Sequence, residues 1–458
     1  MRRLTFRMLI LCLSLVFVLA GCGGGSNNGS SSSQNASAGS GSGGSNNGGD
    51  KKVEISIMTR WGDSDPLSPF LNEVIAKFEE LHPNVKVIND SISEEASYNN
   101  KLKTAIATGE TPHIFYWPGV AGITDWAKNG VLMDVTPLME DKEWFDGFIS
   151  GAFEIWNLEQ YGVAGHYGVP IGFNPEVMYY NKELFEKAGI TKEPETIEEL
   201  YDVIDKLNAS GVVAWGMGAK DTWRLGHLHT NVFYHLNGVN AAKELGTRTK
   251  KWTDADVVES LALVKAFKDR GAFQQGFEGI DYNTERSDFL SGKSAMMLNG
   301  AWAIAEIMAS DSPYKDQFDF FPFPYYSDKP EYKSDDVLYN EAFFLSGTME
   351  GEEKEAAIAF IKFISGKEMQ ELKLQKYERL PSRTDVQVSE SASQMMKDMF
   401  EYMGTIQNPG GDVHDYDPNP ALIDVIRNSL VGIMLGSTPE QAAQEIQKSN
   451  DSYDNSRG

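Results

Sequence analysis

The sequence predicts an α/β protein built on parallel sheet and large enough for two domains. Three observations carry this. Between Val53 and Trp117, short β-branched runs alternate with segments whose apolar residues recur every three or four positions, and such a β-α-β-α-β order places the strands parallel. The same alternation resumes between Val177 and Trp215. With 458 residues, 41% hydrophobic and 11% aromatic, the chain holds material for two cores.

Each element follows from a local pattern. Residues 53–58, VEISIM, alternate and are β-branched, hence a strand. Leu71, Val74, Ile75 and Phe78 make a helical stripe over 69–81, which His82-Pro83 stops. Residues 85–88 and 114–117 read as the next strands, with a helix over 98–108 between them. Residues 177–180 are a strand and 182–188 a helix with Gly189 past its end. Thr196 to Glu199 is a capping box that opens a helix striped by Leu200, Val203, Ile204 and Leu207. A strand at 212–215 and helices at 222–236, 254–269 and 282–290 follow. The stretch GKSAMMLNGAW, residues 292–302, reads as a helix end at Gly292, a buried strand over 295–298 and a turn at Asn299-Gly300. Both turn residues tolerate positive φ, so they would give a sharp strand-to-helix reversal that aims Trp302. Residues 318–324 are a strand running into a Pro-rich connection, 339–345 a strand, and 352–364 a helix. Helices over 422–435 and 438–448 close the chain, the last with Thr438 as N-cap and Pro439 at its first position. Pro170 to Pro175 and Pro322 to Pro324 read as stiff connections.

The N-terminus speaks of place. Arg2, Arg3 and Arg7 precede an apolar run, 8–20, too short for the roughly 20 residues a spanning helix needs. It reads as a secretory signal over 1–21. Leu19-Ala20-Gly21-Cys22 resembles a bacterial lipobox, in which Cys22 is lipidated and becomes the new N-terminus; the other reading is an ordinary signal with a stray cysteine. Residues 23–50 are nearly all Gly, Ser and Asn, a flexible tether with an r.m.s. reach of roughly 30 Å. Cys12 leaves with the signal, so no disulfide forms within the mature chain. The expected location is the extracytoplasmic face of a bacterial membrane, held by lipid.

The formal charge is −25, from 41 basic and 66 acidic residues. This argues against a nucleic-acid partner, which needs a basic face, and weakly against a strongly anionic ligand.

Three stretches carry a family resemblance: VPIGFNPEVMYYNKELFEKAGITKEPETIEELYDVIDKL at 169–207, FLSGKSAMMLNGAW at 289–302, and LVGIMLGSTPEQAAQEIQKS at 430–449. In this order and spacing they resemble the extracellular solute-binding proteins of family 1, lipoprotein receptors of ABC importers for carbohydrates, similar in architecture to maltose-binding protein. The resemblance covers nearly everything from Val53 onward. It implies a two-lobed periplasmic-binding-protein-like fold, each lobe a mostly parallel sheet flanked by helices, with the ligand cleft between. One lobe would hold 51–174 plus 325–365, the other 175–324 plus 366–458, after the tether at 22–50. Closure on ligand would be a hinge motion. One departure is His113, where the family usually has Asp after Pro; it either alters a hydrogen bond at the cleft or only caps the strand.

Ligands of open α/β sheets bind beyond the carboxyl ends of strands, and sugars lie on aromatic rings with polar groups at their hydroxyls. The candidates are therefore Trp61 and Asp63 after the first strand, Tyr116 and Trp117 ending the third, Phe173 in the first hinge, Trp223, Trp302, Glu341 beside Asn340, and Tyr416. Each ring has core packing as its alternative, and each acid a solvated surface. Trp302 is the foremost candidate. Asp412, Asp415 and Asp417 read as a solvated acidic loop rather than a calcium site, whose loop spacing is absent. His227, His229 and His235 point to different helix faces, so no zinc site is expected. There is no G-x-S-x-G, H-E-x-x-H, Walker A or C-x-x-C motif. The expectation is a monomeric, non-enzymatic receptor without cofactor, capturing a sugar or oligosaccharide for a membrane permease. The alternatives are a secreted carbohydrate-active enzyme using two carboxylates, or a binding protein for a non-sugar solute.

Overall fold

The computed structural model describes residues 52–120, 122–419 and 421–456. The signal, Cys22 and the tether lie outside these residues. An eight-stranded mixed sheet organises the described chain. Its strands are β1 (Val53–Met58), β2 (Val85–Asn89), β3 (Ile114–Tyr116), β4 (Gly168–Asn181), β5 (Val213–Trp215), β6 (Ser294–Gly300), β7 (Phe318–Pro322) and β8 (Leu338–Leu345). The order is β2-β1-β3-β8-β4-β6-β5, with β7 also on β4. Parallel pairs occupy the two ends, β1 with β2 and β3, and β5 with β6. The middle, where β8 joins β3 to β4, is antiparallel. Each end, with its helices, is one lobe of a two-lobed fold.

The helical stripes read from sequence are the buried faces. Phe70, Val74 and Phe78 of the Ser68–Leu81 helix pack with Ile55, Ile57, Phe360 and Ile361 in one core. Leu200, Ile204 and Leu207 of the Ile197–Ala209 helix pack with Trp215, Leu261 and Phe267 in another. Truncating one such buried phenylalanine to Ala costs about 3–5 kcal/mol.

The stretch from Pro170 to Pro175 is not a connection. It lies within β4, fourteen consecutive buried residues that pass from one core to another. Phe173 belongs to the first core, and Met178 and Tyr180 to the second. The prolines are tolerated because of register. Glu176 N–H donates to Val337 O on the β8 side, so the position before it faces away from that ladder. Pro175 therefore removes no bond to β8. A register shift between Pro170 and Gly172 accommodates the other.

Asn299 and Gly300 are likewise strand residues, paired with Val177 and Glu176. Neither has positive φ. Gly300 is needed for a different reason, developed below. The 95–108 helix begins three residues earlier than its apolar pattern because the Glu94 carboxylate accepts the N–H groups of Ala96 (3.0 Å) and Ser97 (2.7 Å). Helices at Val239–Gly246, Ala303–Ala309, Lys367–Tyr377 and Gln394–Met403 were not read from the sequence. The last buries Met395, Met396 and Met399 against Tyr179 and Met297. His113 ties strands rather than facing the cleft: its Nδ1 accepts Ser56 N–H at 2.9 Å, joining β1 to the residue before β3.

Candidate functional site

The strand ends deliver side chains to one cavity of about 200 Å³. From one lobe come Trp61, after β1, and Tyr116, at the end of β3. Trp61 is wedged edge-on to Phe70 (5.9 Å) and tilted on Phe343 (5.1 Å), so its orientation is fixed by core residues behind it. Tyr116 is placed by Tyr98, whose hydroxyl donates to Tyr116 O and also to Met58 O at 3.2 Å.

From the other lobe come Trp223, Tyr282 and Trp302. Trp223 starts the Trp223–Asn237 helix, and Tyr282 starts the Tyr282–Leu290 helix. Their rings stand 5.0 Å apart. Beneath them the Arg224 guanidinium lies 4.6 Å from the Trp223 ring centre and forms a fully buried bidentate pair with Glu285 at 2.9 and 2.6 Å. Trp302 Nε1 donates to Tyr282 Oη at 3.3 Å. Tyr339, from β8, joins this wall, 6.0 Å from Trp302 and stacked at 4.4 Å on His227. Half-buried rings held by buried supports make a rigid apolar platform with hydrogen-bonding edges.

A buried polar network closes the floor. Glu176 receives His227 Nδ1 at 2.7 Å and Asn231 Nδ2 at 2.6 Å. Asp412 accepts the hydroxyls of Thr230 (2.9 Å) and Tyr339 (3.1 Å) and lies 3.7 Å from Arg427. Burial works against its charge, but His414, His227 and Arg427 hold its carboxyl below the ordinary range. Burial, then the Asp412 charge, pushes the Asp415 carboxyl up, and burial pushes the His414 imidazole down. The Arg427 guanidinium, a permanent cation, stands 3.7 Å from the Asp412 carboxylate. The reading of a solvated acidic loop is overturned: Asp412, Asp415 and Asp417 are each 5–6% exposed. Asp417 is answered by Arg248 (2.6 Å) and Asn450 (2.9 Å).

Residues 62–371 match the model of the bacterial extracellular solute-binding protein family. The chain belongs to that family. It is 24% identical over 260 residues to the multiple sugar-binding protein of Streptococcus mutans serotype c, a match covering 56% of this chain and 59% of that one. It is 25% identical over 315 residues to the maltotriose-binding protein of Pyrococcus abyssi, covering 63% of this chain and 58% of that one. The match thus spans just under three fifths of either relative. Among solved structures, a chitin oligosaccharide binding protein aligns with a TM-score of 0.78 at 26% identity, over 88% of this chain and 99% of that one.

In this solute-binding protein the cavity collects five of the nine candidate residues: Trp61, Tyr116, Trp223, Trp302 and Glu341. The other four stand elsewhere. Asp63 is exposed. Trp117 turns to Trp126 (4.9 Å) and Lys103 (5.5 Å). Phe173 is core. The Tyr416 hydroxyl accepts Gly411 N–H at 3.3 Å, and its ring lies 5.9 Å from Lys243. The cavity also takes residues the sequence did not mark, among them Arg60, Tyr282, Tyr339, Arg379 and Arg427. Tyr339 sits one position before the Asn340–Glu341 pair and had a signal. Arg379 and Arg427 had none, since only the fold brings them to the cleft.

Proposed function

We propose that this protein is the substrate-binding component of an ABC transporter, capturing a sugar or oligosaccharide between its lobes and delivering it to a membrane permease. The observation that carries this reading is the pair of opposed aromatic walls, Trp61 and Tyr116 against Trp223 and Trp302, around one cavity. Aromatic faces suit the apolar faces of pyranose rings, and the charged floor suits hydroxyls. The sugar-binding names of the relatives support the same class. The chain acts as a monomer, with residues 51–174 and 325–365 as one lobe and 175–324 and 366–458 as the other. Its Cys22 carries the lipid that holds it at the extracytoplasmic face, and residues 23–50 are the tether. It binds without catalysing.

The test is calorimetry and thermal unfolding of the full chain against an oligosaccharide panel, with product analysis by chromatography. Saturable binding that raises Tm without cleavage is the expected result. Cleavage of the sugar, or no shift with any sugar, overturns the reading.

A further inference from the structure

Five titratable side chains stand in file beneath the cavity. His227 Nδ1 lies 2.7 Å from Glu176, and His227 Nε2 lies 4.0 Å from Asp412. His414 Nε2 lies 3.7 Å from Asp412 and 3.7 Å from Asp415. None of the five is more than 7% exposed. Acids and imidazoles thus alternate from β4, through the Trp223–Asn237 helix, to the loop of residues 412–417. Arg427 of the Leu422–Leu435 helix adds a permanent cation, 3.7 Å from Asp412. Three carboxyls therefore meet one guanidinium and two imidazoles.

Asp415 ends the file on its acidic side. Its carboxylate accepts the N–H groups of Asp412 (2.9 Å) and Val120 (3.3 Å). The other polar groups around it are engaged. The Tyr161 hydroxyl donates to Asp415 O, Tyr339 donates to Asp412, and Tyr234 donates to Gly411 O. Tyr416 accepts Gly411 N–H, and Asp417 is paired with Arg248. The same carboxyl lies where two cores meet. Val413 seats its loop in the core of β5 and β6, whereas Val120 packs with Met58 and Phe115 of β1 and β3. Glycines flank it on both sides. A Cβ on Gly119 would lie 2.8 Å from Oδ1, and one on Gly411 would lie 2.6 Å from Oδ2. Parting the lobes would carry Gly119 and Val120 away and open Oδ1 to water.

A carboxyl enclosed beside a second acid holds its proton more tightly than one in water. Burial first, and the Asp412 charge second, raise Asp415 from 3.8 to about 7. Opening returns it toward the ordinary value, so closing takes up a proton. That contribution to the closed state is full below the ordinary value and is lost as pH rises through about 7. His414 works in the opposite sense. Burial lowers its imidazole from 6.5 to about 4, so closing releases a proton from it between those values. We propose that Asp415 makes closure pH-sensitive: the lobes close on ligand with uptake of a proton at this carboxyl, and the protein captures ligand more tightly as a weakly alkaline medium turns neutral. The neutral carboxyl still accepts through its oxygens and no longer repels Asp412. The proposal rests on the reading of capture between the lobes.

The test is calorimetry of the full chain with maltotriose, cellotriose, xylotriose and N-acetylated chitotriose. These sugars carry no charge, so any proton exchanged belongs to the protein. Each sugar that binds is titrated in buffers of different ionisation enthalpy, which counts the protons taken up. Uptake of about half a proton is expected at pH 7, falling toward zero at pH 8.5, with affinity about fourfold higher at pH 6.5 than at pH 8.5. Asp415→Asn should lose both the uptake and the pH dependence. Arg427→Gln removes the permanent cation and should move the profile to higher pH, whereas a purely structural loss would lower affinity equally at every pH. Binding without proton uptake at pH 7 overturns the proposal and leaves the capture reading standing. Uptake that persists in Asp415→Asn also overturns it, because the proton then sits on another group. Where that variant does not fold, an unshifted profile in Arg427→Gln decides against it. If no sugar binds the folded parent at any pH, the capture reading fails and the proposal with it.

Discussion

The indole of Trp302 lies on the backbone of Gly300, so that a Cβ on Gly300 would occupy the space of the six-membered ring. Two residues of the same chain thus fix one another: the strand must end in the smallest residue for the ring to fold back over it. The ring is then held by Tyr282 at its Nε1 and by Trp223 and Tyr339 at its faces and edges.

Gly300→Ala should move this ring out of register with Trp223. The expected outcome is a loss of sugar affinity of tenfold or more, about 1.4 kcal/mol, with only a modest fall in Tm, because β6 keeps its pairing with β4. Trp302→Ala should abolish binding while the free protein stays folded, since the ring is only half-buried. Titration calorimetry beside thermal unfolding separates the two effects. A large loss of stability in Trp302→Ala would make the ring core rather than platform.

Arg224 and Glu285 form a pair at zero side-chain exposure under the Trp223 ring. Breaking one partner leaves an uncompensated buried charge, which costs about 3–5 kcal/mol. Glu285→Gln should therefore lower stability far more than any exposed-pair variant, such as Lys187→Gln opposite Glu183, where solvent screens the pair and little is lost. Urea unfolding of both variants checks the contrast. Equal, small losses would show that Arg224 finds another partner.

Periodicity made the helical stripes and most strands legible, because burial selects them residue by residue. It misplaced the prolines of β4. A proline is read as a breaker, yet Pro175 turns its missing donor away from β8, a fact of register that local sequence does not carry. It likewise read Asn299-Gly300 as a turn from residue preference, whereas Gly300 is there to leave room for an indole. At the site, the rule that ligands meet the carboxyl ends of strands found Trp61, Tyr116 and Trp302. It also picked Trp117, one residue beyond Tyr116, whose ring turns to Trp126 instead. Two cations of the cleft, Arg379 and Arg427, come from far along the chain from the strands they meet, and no periodic signal marks such residues.

His229 is buried against Ser260 (3.1 Å) and stacked on Trp252. Burial lowers its imidazole from 6.5 to about 4, against the opposing pull of Asp412. The sign follows from proton counting. Between about pH 4 and 6.5 the unfolded chain holds a proton there that the folded chain lacks, so this group makes stability rise with pH across that window. Below it both states are protonated, and the folded protein carries a buried charge. His229→Gln should flatten this part of the stability curve by about 1–3 kcal/mol, read from urea midpoints at pH 4.5 and 6.5. An unchanged slope would mean that His229 is solvated in its protonated form.

Asp415 ties the C-terminal loop to the opposite lobe. Its carboxylate accepts Val120 N–H at 3.3 Å, its carbonyl accepts the Tyr161 hydroxyl, and Gly119 leaves room for its Oδ1. These contacts join the loop of Asp415 to the core that holds Val120 and Tyr161. Weakening them should favour the open arrangement and leave the sugar contacts themselves unchanged. Apparent affinity then falls in proportion to the population of closed protein. Tyr161→Phe removes one bond of about 0.5–1.5 kcal/mol and should weaken binding several-fold. Stopped-flow fluorescence locates the effect: a faster dissociation rate with little change in association is expected. A slower association at constant dissociation would place Tyr161 in the docking of the ligand instead of in the closing of the lobes.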